Sequence, residues 1–291
     1  MKAPPFSYHA PSSLDEALAL LDQHGDDAKV LAGGQSLVPL LALRLAHPEV
    51  LVDLNGVSEL TSIAPHNGGV AVGAMARERA AERSELISSQ VPLLAEALPM
   101  IGHLAIRNRG TIGGSLAHAD PAAELPAVAQ ALDAELVATS KARGARTIPA
   151  TDFFQGYFTT VLEPDEILTE VRFPALADGS GTCFVEVSRR HGDFAMVGVG
   201  ASLTVKDGRI SKAAVALMGM AEAAVRARGA EDALVGEVPG TELFLDAGSE
   251  ATRDLSPVSD LHASAEYRRR VGAVCVRRAL EQAARRATGE T

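Results

Sequence analysis

The stretch Lys29-Val30-Leu31-Ala32-Gly33-Gly34-Gln35-Ser36 decides the fold of the N-terminal part of this 291-residue chain. A short apolar run, residues 29–32, predicts a strand that leads directly into two glycines. Residues 37–45 then predict a helix that Ser36 can cap. Glycine adopts positive φ and lets a ligand approach main-chain N–H groups, and a helix N-terminus favours a phosphate. On its own, a double glycine after a strand is more often an ordinary turn than a binding site.

A second glycine pair of the same kind lies about eighty residues further along. Thr111-Ile112-Gly113-Gly114-Ser115 leads into a segment that holds His118, Asp120 and Glu124. Glycines and hydroxyls suit phosphates, and carboxylates accept hydrogen bonds from sugar hydroxyls. Two such turns in neighbouring units predict a nucleotide cofactor in the cleft between them. His118 with Asp120 can also be interpreted as a catalytic pair, although we favour a cofactor-positioning role.

The pattern of apolar residues and turns divides the chain into three units and predicts an α+β fold. We place the units at residues 1–57, 58–175 and 176–291. The first reads helix–strand–helix–strand, with a capping box at Ser13 and Glu16. The second opens with a hairpin around Asn67-Gly68 and continues through helical residues 76–98 and 121–132 to strands 134–139 and 166–173. The third has strands 182–189, 196–205 and 210–218 and a last helix over residues 265–287.

Composition and motifs exclude several functions. The net charge of −10 argues against nucleic acid as the main partner. No apolar run approaches the ~20 residues of a membrane span, and the N-terminus does not resemble a signal peptide, so we expect a cytoplasmic protein. The sequence lacks Gly-x-Gly-x-x-Gly after a strand, a Walker A motif, a His-Glu-x-x-His zinc motif and a Gly-x-Ser-x-Gly nucleophile motif.

Three further features leave alternatives open. Cys183 and Cys275 are too few for an iron–sulfur cluster, which takes four ligands, and a disulfide between them would be unusual in such a chain. Residues 267–291 carry seven Arg against two Glu, which favours a solvated helix face or a subunit contact over an anion site. The charged turn at residues 189–193 fits a solvated hairpin, a place beside a cofactor or a subunit contact.

The two glycine motifs, in this order and spacing, resemble those of the medium, FAD-binding subunit of the molybdenum hydroxylases. That family includes xanthine dehydrogenase and carbon monoxide dehydrogenase. The resemblance extends to Pro5-Phe6-Ser7-Tyr8, to the strand that ends at Pro174 and to Glu186-Val187-Ser188-Arg189-Arg190, and so covers essentially the whole chain. It implies two α/β FAD-binding subdomains of the vanillyl-alcohol-oxidase (PCMH) type. A C-terminal CO-dehydrogenase-flavoprotein-like domain, with a three-stranded antiparallel sheet and helices, would follow them.

The resemblance also implies which residues hold a non-covalently bound FAD. The pyrophosphate would lie against Ala32, Gly33, Gly34, Gln35, Ser36, Leu37, Thr111, Gly113, Gly114 and Ser115. Ile101 would contact the cofactor, Leu168 would pack near its ring system, and Asp120 and Glu124 would accept hydrogen bonds, with His118 beside them. Some relatives carry a Lys in the strand before the Arg pair, where this chain has Val185-Glu186. The contact made by that Lys, and the electron acceptor, are therefore left open.

By the same resemblance, the chain would be the electron-transfer subunit of a heteromeric molybdenum hydroxylase. A large partner would hold molybdopterin cytosine dinucleotide, and a small partner would hold two [2Fe–2S] clusters, in a dimer of heterotrimers. Electrons would pass from the clusters to FAD and on to an external acceptor. Two alternatives remain: a standalone FAD-dependent oxidoreductase of the same fold, and a non-catalytic nucleotide-binding scaffold. The substrate and the acceptor (NAD, oxygen or a quinone) do not follow from the sequence.

Overall fold

A computed structural model describes residues 2–290. The first sheet is parallel and has the strand order β1-β3-β2. Its strands are β1 (Ser7–His9), β2 (Ala28–Leu31) and β3 (Val50–Asp53), and its helices are α1 (Leu14–His24) and α2 (Leu37–Ala42). The predicted cap of α1 is confirmed, since Ser13 Oγ accepts from the N–H of Glu16 at 3.2 Å. Because all three strands run the same way, the residues that follow β2 and β3 meet at one edge of the sheet.

The predicted cap at Ser36 is wrong. Ser36 itself has a helical backbone, with φ −105° and ψ −49°, and its side chain makes no capping hydrogen bond. An N-cap residue normally has an extended backbone, which lets its oxygen reach the N–H groups of the first turn. The following helix is also shorter than predicted, since α2 ends at Ala42.

The second sheet has five antiparallel strands in the order β4-β5-β10-β6-β7. They are β4 (Ile63–His66), β5 (Gly69–Gly73), β6 (Glu135–Ser140), β7 (Gly144–Pro149) and β10 (Glu166–Phe173), and a separate short hairpin consists of β8 (Phe154–Gly156) and β9 (Thr159–Thr160). The helices of this part are α3 (Glu78–Glu82), α4 (Glu85–Gln90), α5 (Pro92–Ala97), α6 (Leu104–Arg107), α7 (Ile112–His118), α8 (Glu124–Ala131) and α9 (Ala150–Phe153).

Two predicted helices of this part differ from the structure. Residues 76–98 form three short helices instead of one, because Ser84 caps α4 through the N–H of Ile87 at 3.3 Å and Pro92 starts α5. The helix predicted over residues 121–132 begins at Glu124. Asp120 Oδ1 accepts from the N–H of Ala122 at 2.9 Å, and this side-chain turn delays the helix.

The third sheet is antiparallel and has the order β11-β12-β13-β14. The three long strands that were predicted are β11 (Ser180–Ser188), β12 (Ala195–Lys206) and β13 (Arg209–Met218), and the two-residue strand β14 (Val225–Arg226) adds a fourth at the edge. The helices are α10 (Arg228–Leu234), α11 (Thr241–Arg253) and α12 (Ala265–Thr288). One face of β11 packs under α12 through Cys183, and Phe184 on the other face joins the core of the five-stranded sheet. Glu186 shares the face of Phe184, because side chains alternate along a strand.

The cysteines and the C-terminal arginines take part in packing. Cys183 and Cys275 are both buried free thiols. Arg268 is 6% exposed and donates to Asp260 at 2.6 Å, and Arg286 donates to Glu96 at 2.6 Å. The arginine-rich helix is therefore more than a solvated face, since two of its cations serve internal contacts. Across residues 2–290, none of the helices combines the length and the apolar character that a membrane crossing needs.

Candidate functional site

The two glycine turns lie against each other, although they belong to different sheets. A Cβ atom on Gly33 would lie 2.3 Å from the carbonyl oxygen of Arg109 and 2.8 Å from Cα of Gly110. A Cβ atom on Gly114 would lie 3.3 Å from Cβ of Ala32. The absence of side chains at these positions is thus what allows the two main chains to approach each other.

The first turn presents free main-chain donors. Gly34 has φ +74°, a conformation that favours glycine. Within the described residues 2–290, the N–H groups of Gly34, Gln35 and Ser36 donate to no protein acceptor. The Gln35 side chain turns back instead, donating to the carbonyl of Gly33 at 3.1 Å. A row of unpaired N–H groups on a turn is suited to binding an anion.

The N–H groups of the second turn donate to acceptors within the protein. Gly113 N–H donates to the carbonyl of Ala74 at 2.8 Å, and Gly114 N–H donates to Thr111 Oγ1 at 3.1 Å. Ser115 N–H donates to the carbonyl of Thr111 at 3.0 Å. Gly113 also packs closely, since a Cβ there would lie 2.3 Å from Cβ of Ala74. This turn therefore offers the hydroxyl of Ser115 and a close-approaching backbone, whereas the first turn offers amide donors.

A cavity of about 360 Å³ opens beside the first turn. It lies where β2 and β3 end, the edge at which open α/β sheets commonly bind ligands. Its lining includes residues 31–35 and three side chains that the sequence analysis missed, Asp53, Asn55 and Arg109. The available signal was position, since Asp53 is the last residue of β3 and Asn55 lies two residues later. Strand β3 is the neighbour of β2, the strand that leads into the glycines.

His118 and Asp120 do not form a hydrogen-bonded pair within residues 2–290. His118 ends α7, and its ring lies 5.0 Å from that of Phe158, centroid to centroid. Burial lowers the pKa of His118. Asp120 directs Oδ1 to the N–H of Ala122. This arrangement favours the positioning interpretation over a catalytic pair.

Ile101 and Leu168 are core residues near the site. Ile101 is 8% exposed and follows a short helical turn, and its carbonyl accepts from Arg107 Nη1 at 2.9 Å. Leu168 lies on β10, is 5% exposed and precedes a bulge opposite β6. Both belong to the same buried cluster of the second unit. Their contact with a cofactor remains a prediction.

Two buried carboxyl groups, Glu78 and Glu124, and the partly buried Glu186 lie around the second turn and the third sheet. Burial raises the pKa of Glu124, the first residue of α8, to about 8. Burial also raises the pKa of Glu78 and of Glu186 to about 7. One oxygen each of Glu78 and Glu186 has no hydrogen-bond partner among the described residues. Glu78 lies beneath the second turn, since a Cβ on Gly110 would be 2.3 Å from Glu78 Oε2. Glu78 was missed in the sequence analysis.

Family models match most of the chain. The model described as "FAD binding domain in molybdopterin dehydrogenase" matches residues 4–176, and the "CO dehydrogenase flavoprotein C-terminal domain" matches residues 182–283. Among named relatives, the 6-hydroxypseudooxynicotine dehydrogenase complex subunit alpha of Paenarthrobacter nicotinovorans is 43% identical, over 99% of this chain and 97% of the relative. The carbon monoxide dehydrogenase medium chain of Hydrogenophaga pseudoflava is 39% identical, over 97% of this chain and 98% of the relative.

Solved structures agree with these relatives. A carbon monoxide dehydrogenase from Hydrogenophaga pseudoflava, which lacks the Mo-pyranopterin moiety of its cofactor, has a chain that superposes with a TM-score of 0.95 and 41% identity. That match covers 97% of this chain and 98% of the other. A chain of quinoline 2-oxidoreductase from Pseudomonas putida 86 has a TM-score of 0.93 and 42% identity, with 99% of each chain covered.

The fold and the paired glycine turns define an FAD-binding flavoprotein with an α+β architecture, as predicted. More narrowly, the chain belongs to the family of FAD-binding medium subunits of heteromeric molybdenum hydroxylases, the family of the carbon monoxide dehydrogenase medium chains. It is therefore an oxidoreductase component, which confirms that part of the sequence interpretation.

Proposed function

We propose that the chain holds FAD non-covalently in the cleft between its two glycine turns and transfers electrons within a molybdenum hydroxylase complex. The observation that carries the proposal is the free row of N–H groups at Gly34, Gln35 and Ser36, packed against a second turn in another sheet. An FAD diphosphate needs several donors on one side and close backbone approach on the other. The first turn supplies the donors, and the second turn supplies the closely approaching backbone.

The remaining assignments follow from this placement. Ala32, Gly33 and Leu37 would complete the first side of the diphosphate site, and Thr111, Gly113, Gly114 and Ser115 would form the second. Ile101 and Leu168 would pack against the flavin, with His118 and Asp120 positioning cofactor groups nearby. FAD, when bound, supplies the redox chemistry, because it can accept and release electrons. The protein's residues bind and orient it and exclude water.

The buried Glu124 and the partly buried Glu186 fit a flavin. Unpartnered polar atoms are rare in protein interiors, because each costs about 1–3 kcal/mol. Glu124 starts α8, which contacts β12 and β13, and Glu186 projects from β11 on the face shared with Phe184. A bound ring with N–H groups would provide donors for such carboxyl oxygens. We therefore extend the predicted role of Glu124 to Glu186 as a second acceptor.

The partner subunits are part of the proposal. The similar proteins are named as a medium chain and as a complex subunit, which supports a heteromeric assembly. We propose a large subunit with molybdopterin cytosine dinucleotide and a small subunit with two [2Fe–2S] clusters, in a dimer of heterotrimers. The two buried cysteines of this chain cannot supply the four ligands of a cluster, so a partner must hold it. A cytoplasmic location and the three domain boundaries remain predictions.

Affinity purification through a tag on this chain, expressed from its native locus, tests the proposal. We expect two further subunits, with one flavin, one molybdenum and about four irons per trio. Acid precipitation should release the flavin, because no covalent bond holds it. A chain that purifies alone with flavin and oxidises an organic substrate would instead be a standalone oxidoreductase. A chain that binds no flavin even when FAD is supplied would be a scaffold.

A further inference from the structure

Asn55 connects the first glycine turn to a second part of the chain. Its Nδ2 donates to the carbonyl of Ala32 at 3.0 Å, and its Oδ1 accepts from Arg77 Nη2 at 2.6 Å. Ala32 is the residue directly before Gly33, and Arg77 lies between β5 and α3. The Asn55 side chain thus bridges the first sheet and the second.

Arg77 extends this bridge to the second turn. Its Nη1 donates to the carbonyl of Arg109 at 2.5 Å, and its backbone forms an isolated antiparallel bridge with Thr111. The carbonyl oxygen of Arg109 is the atom that lies against Gly33. The hydrogen bonds from Ala32 through Asn55 and Arg77 to Arg109 therefore close a ring around the contact between the two turns.

Asn55 is itself held in place. Asp53 Oδ1 accepts from the N–H of Asn55 at 2.9 Å and from its Nδ2 at 2.5 Å. Tyr8 on β1 donates its hydroxyl to Asp53 Oδ2 at 2.5 Å. Polar groups fixed by further hydrogen bonds keep one rotamer, which is what precise positioning of a binding site requires.

We propose that Asn55 and Arg77 act as a clamp that holds the two glycine turns in the relative position needed to bind FAD. This inference rests on the proposed function, since it assigns positioning residues to the same cofactor site. Hydrogen bonds to a diphosphate are effective over a narrow range of about 2.7–3.2 Å. A shift of one turn past the other by about 1 Å would therefore remove donors on one side of the site.

The test is a double-mutant cycle on the full chain after removal of flavin. Asn55→Ala, Arg77→Ala and the double variant are titrated with FAD, and the dissociation constant is read from flavin fluorescence. We expect each single variant to bind FAD about 10-fold or more weakly. The double variant should bind FAD with about the same affinity as the single variant of lower affinity, because breaking either end already opens the clamp. At saturating FAD, all variants should regain the wild-type flavin spectrum.

Arg79→Ala is the matched control. Arg79 is also partly buried, lies two residues away and pairs with Glu82 at 2.7 Å. Its loss should leave the dissociation constant unchanged. Arg77→Lys should restore part of the affinity, because an ammonium retains donors for one of the two acceptors. If Arg77→Ala does not fold, as judged by circular dichroism, Asn55→Ala and Arg77→Lys carry the test.

Two outcomes would overturn the clamp. Additive losses in the double variant would mean that each side chain acts on FAD independently. Unchanged affinity in Asn55→Ala and Arg77→Lys would mean that the turns keep their position without them. Failure of the wild-type chain to bind FAD is a different result, because it removes the proposed function itself.

Discussion

Replacement of Gly33 by Ala tests the contact between the two turns directly. The added Cβ would lie 2.3 Å from the carbonyl oxygen of Arg109, roughly 1 Å inside van der Waals contact. Gly33 does not have a positive φ, so alanine avoids the penalty of the left-handed region there. The whole effect must therefore come from pushing the turns apart.

The expected magnitude follows from this displacement. Separating the turns by about 1 Å takes one or two donors out of hydrogen-bond range of the diphosphate. A hydrogen bond to a charged group contributes about 1.5–3 kcal/mol, so affinity for FAD should fall by about 10-fold to 100-fold or more. The free energy of unfolding should fall by about 1–3 kcal/mol, as in other overpacked sites.

The assay is FAD titration of the deflavinated chain, combined with urea unfolding. Gly240→Ala is the control, because its Cβ would meet only the carbonyl of Val238, at the ordinary contact distance of 3.9 Å. If Gly33→Ala binds FAD within roughly threefold of the wild type, the contact between the turns does not govern cofactor binding. Our account of the site would then be refuted.

Three further perturbations follow from the structure. Thr111→Val removes the hydroxyl that caps α7 and should lower the free energy of unfolding by about 1 kcal/mol, with Thr111→Ser close to wild type, as measured by urea denaturation. Burial raises the pKa of Glu124 from 4.5 to about 8, so its stabilising contribution is fully present below its unfolded pKa and is lost as the pH rises through the folded pKa. The Tm of the flavin-free wild-type chain should therefore fall between about pH 4.5 and pH 8, and Glu124→Gln should reduce that fall. If Tm depends on pH in the same way in both proteins, the raised pKa of Glu124 is contradicted. The side chain of Arg226 is only 5% exposed and pairs with Glu231 at 2.5 Å, so Arg226→Ala should cost about 3–5 kcal/mol in unfolding experiments. The exposed Arg253→Ala should cost less than about 1 kcal/mol, and equal losses in the two variants would contradict the distinction.

Much of the fold could be predicted because its signals are local. The helix cap at Ser13 and the Asn67-Gly68 turn depend on neighbouring residues, and each is where the pattern indicated. The second half of the capping box differs, because Glu16 accepts from the N–H of Ser12 at 2.8 Å. Strand β7 (Gly144–Pro149) was missed, because its burial pattern is almost entirely exposed and shows no apolar alternation. Strand β1 was missed for a similar reason, since three residues are too few for a periodic signal.

The site could be predicted in part. Glycine pairs are visible in sequence, so the two turns could be named before the structure was known. Their mutual contact depends on a Gly33 to Arg109 approach across two sheets, which no local pattern encodes. Asn55 and Arg77 were missed for the same reason, since each looks like an ordinary polar residue after a strand. The burial of Glu78 likewise could not be predicted from the sequence, because it depends on the packing of Gly110 against the Glu78 carboxyl group.

The place of β10 in the second sheet has a consequence for synthesis of the chain. Residues 166–173 lie between β5 and β6, so the sheet cannot be completed until they have left the ribosome. Until then, β5 and β6 keep unpaired edges, and such edges readily join other chains. The nascent protein should therefore depend on chaperones over this interval, and fragments that stop before Glu166 should accumulate as aggregates.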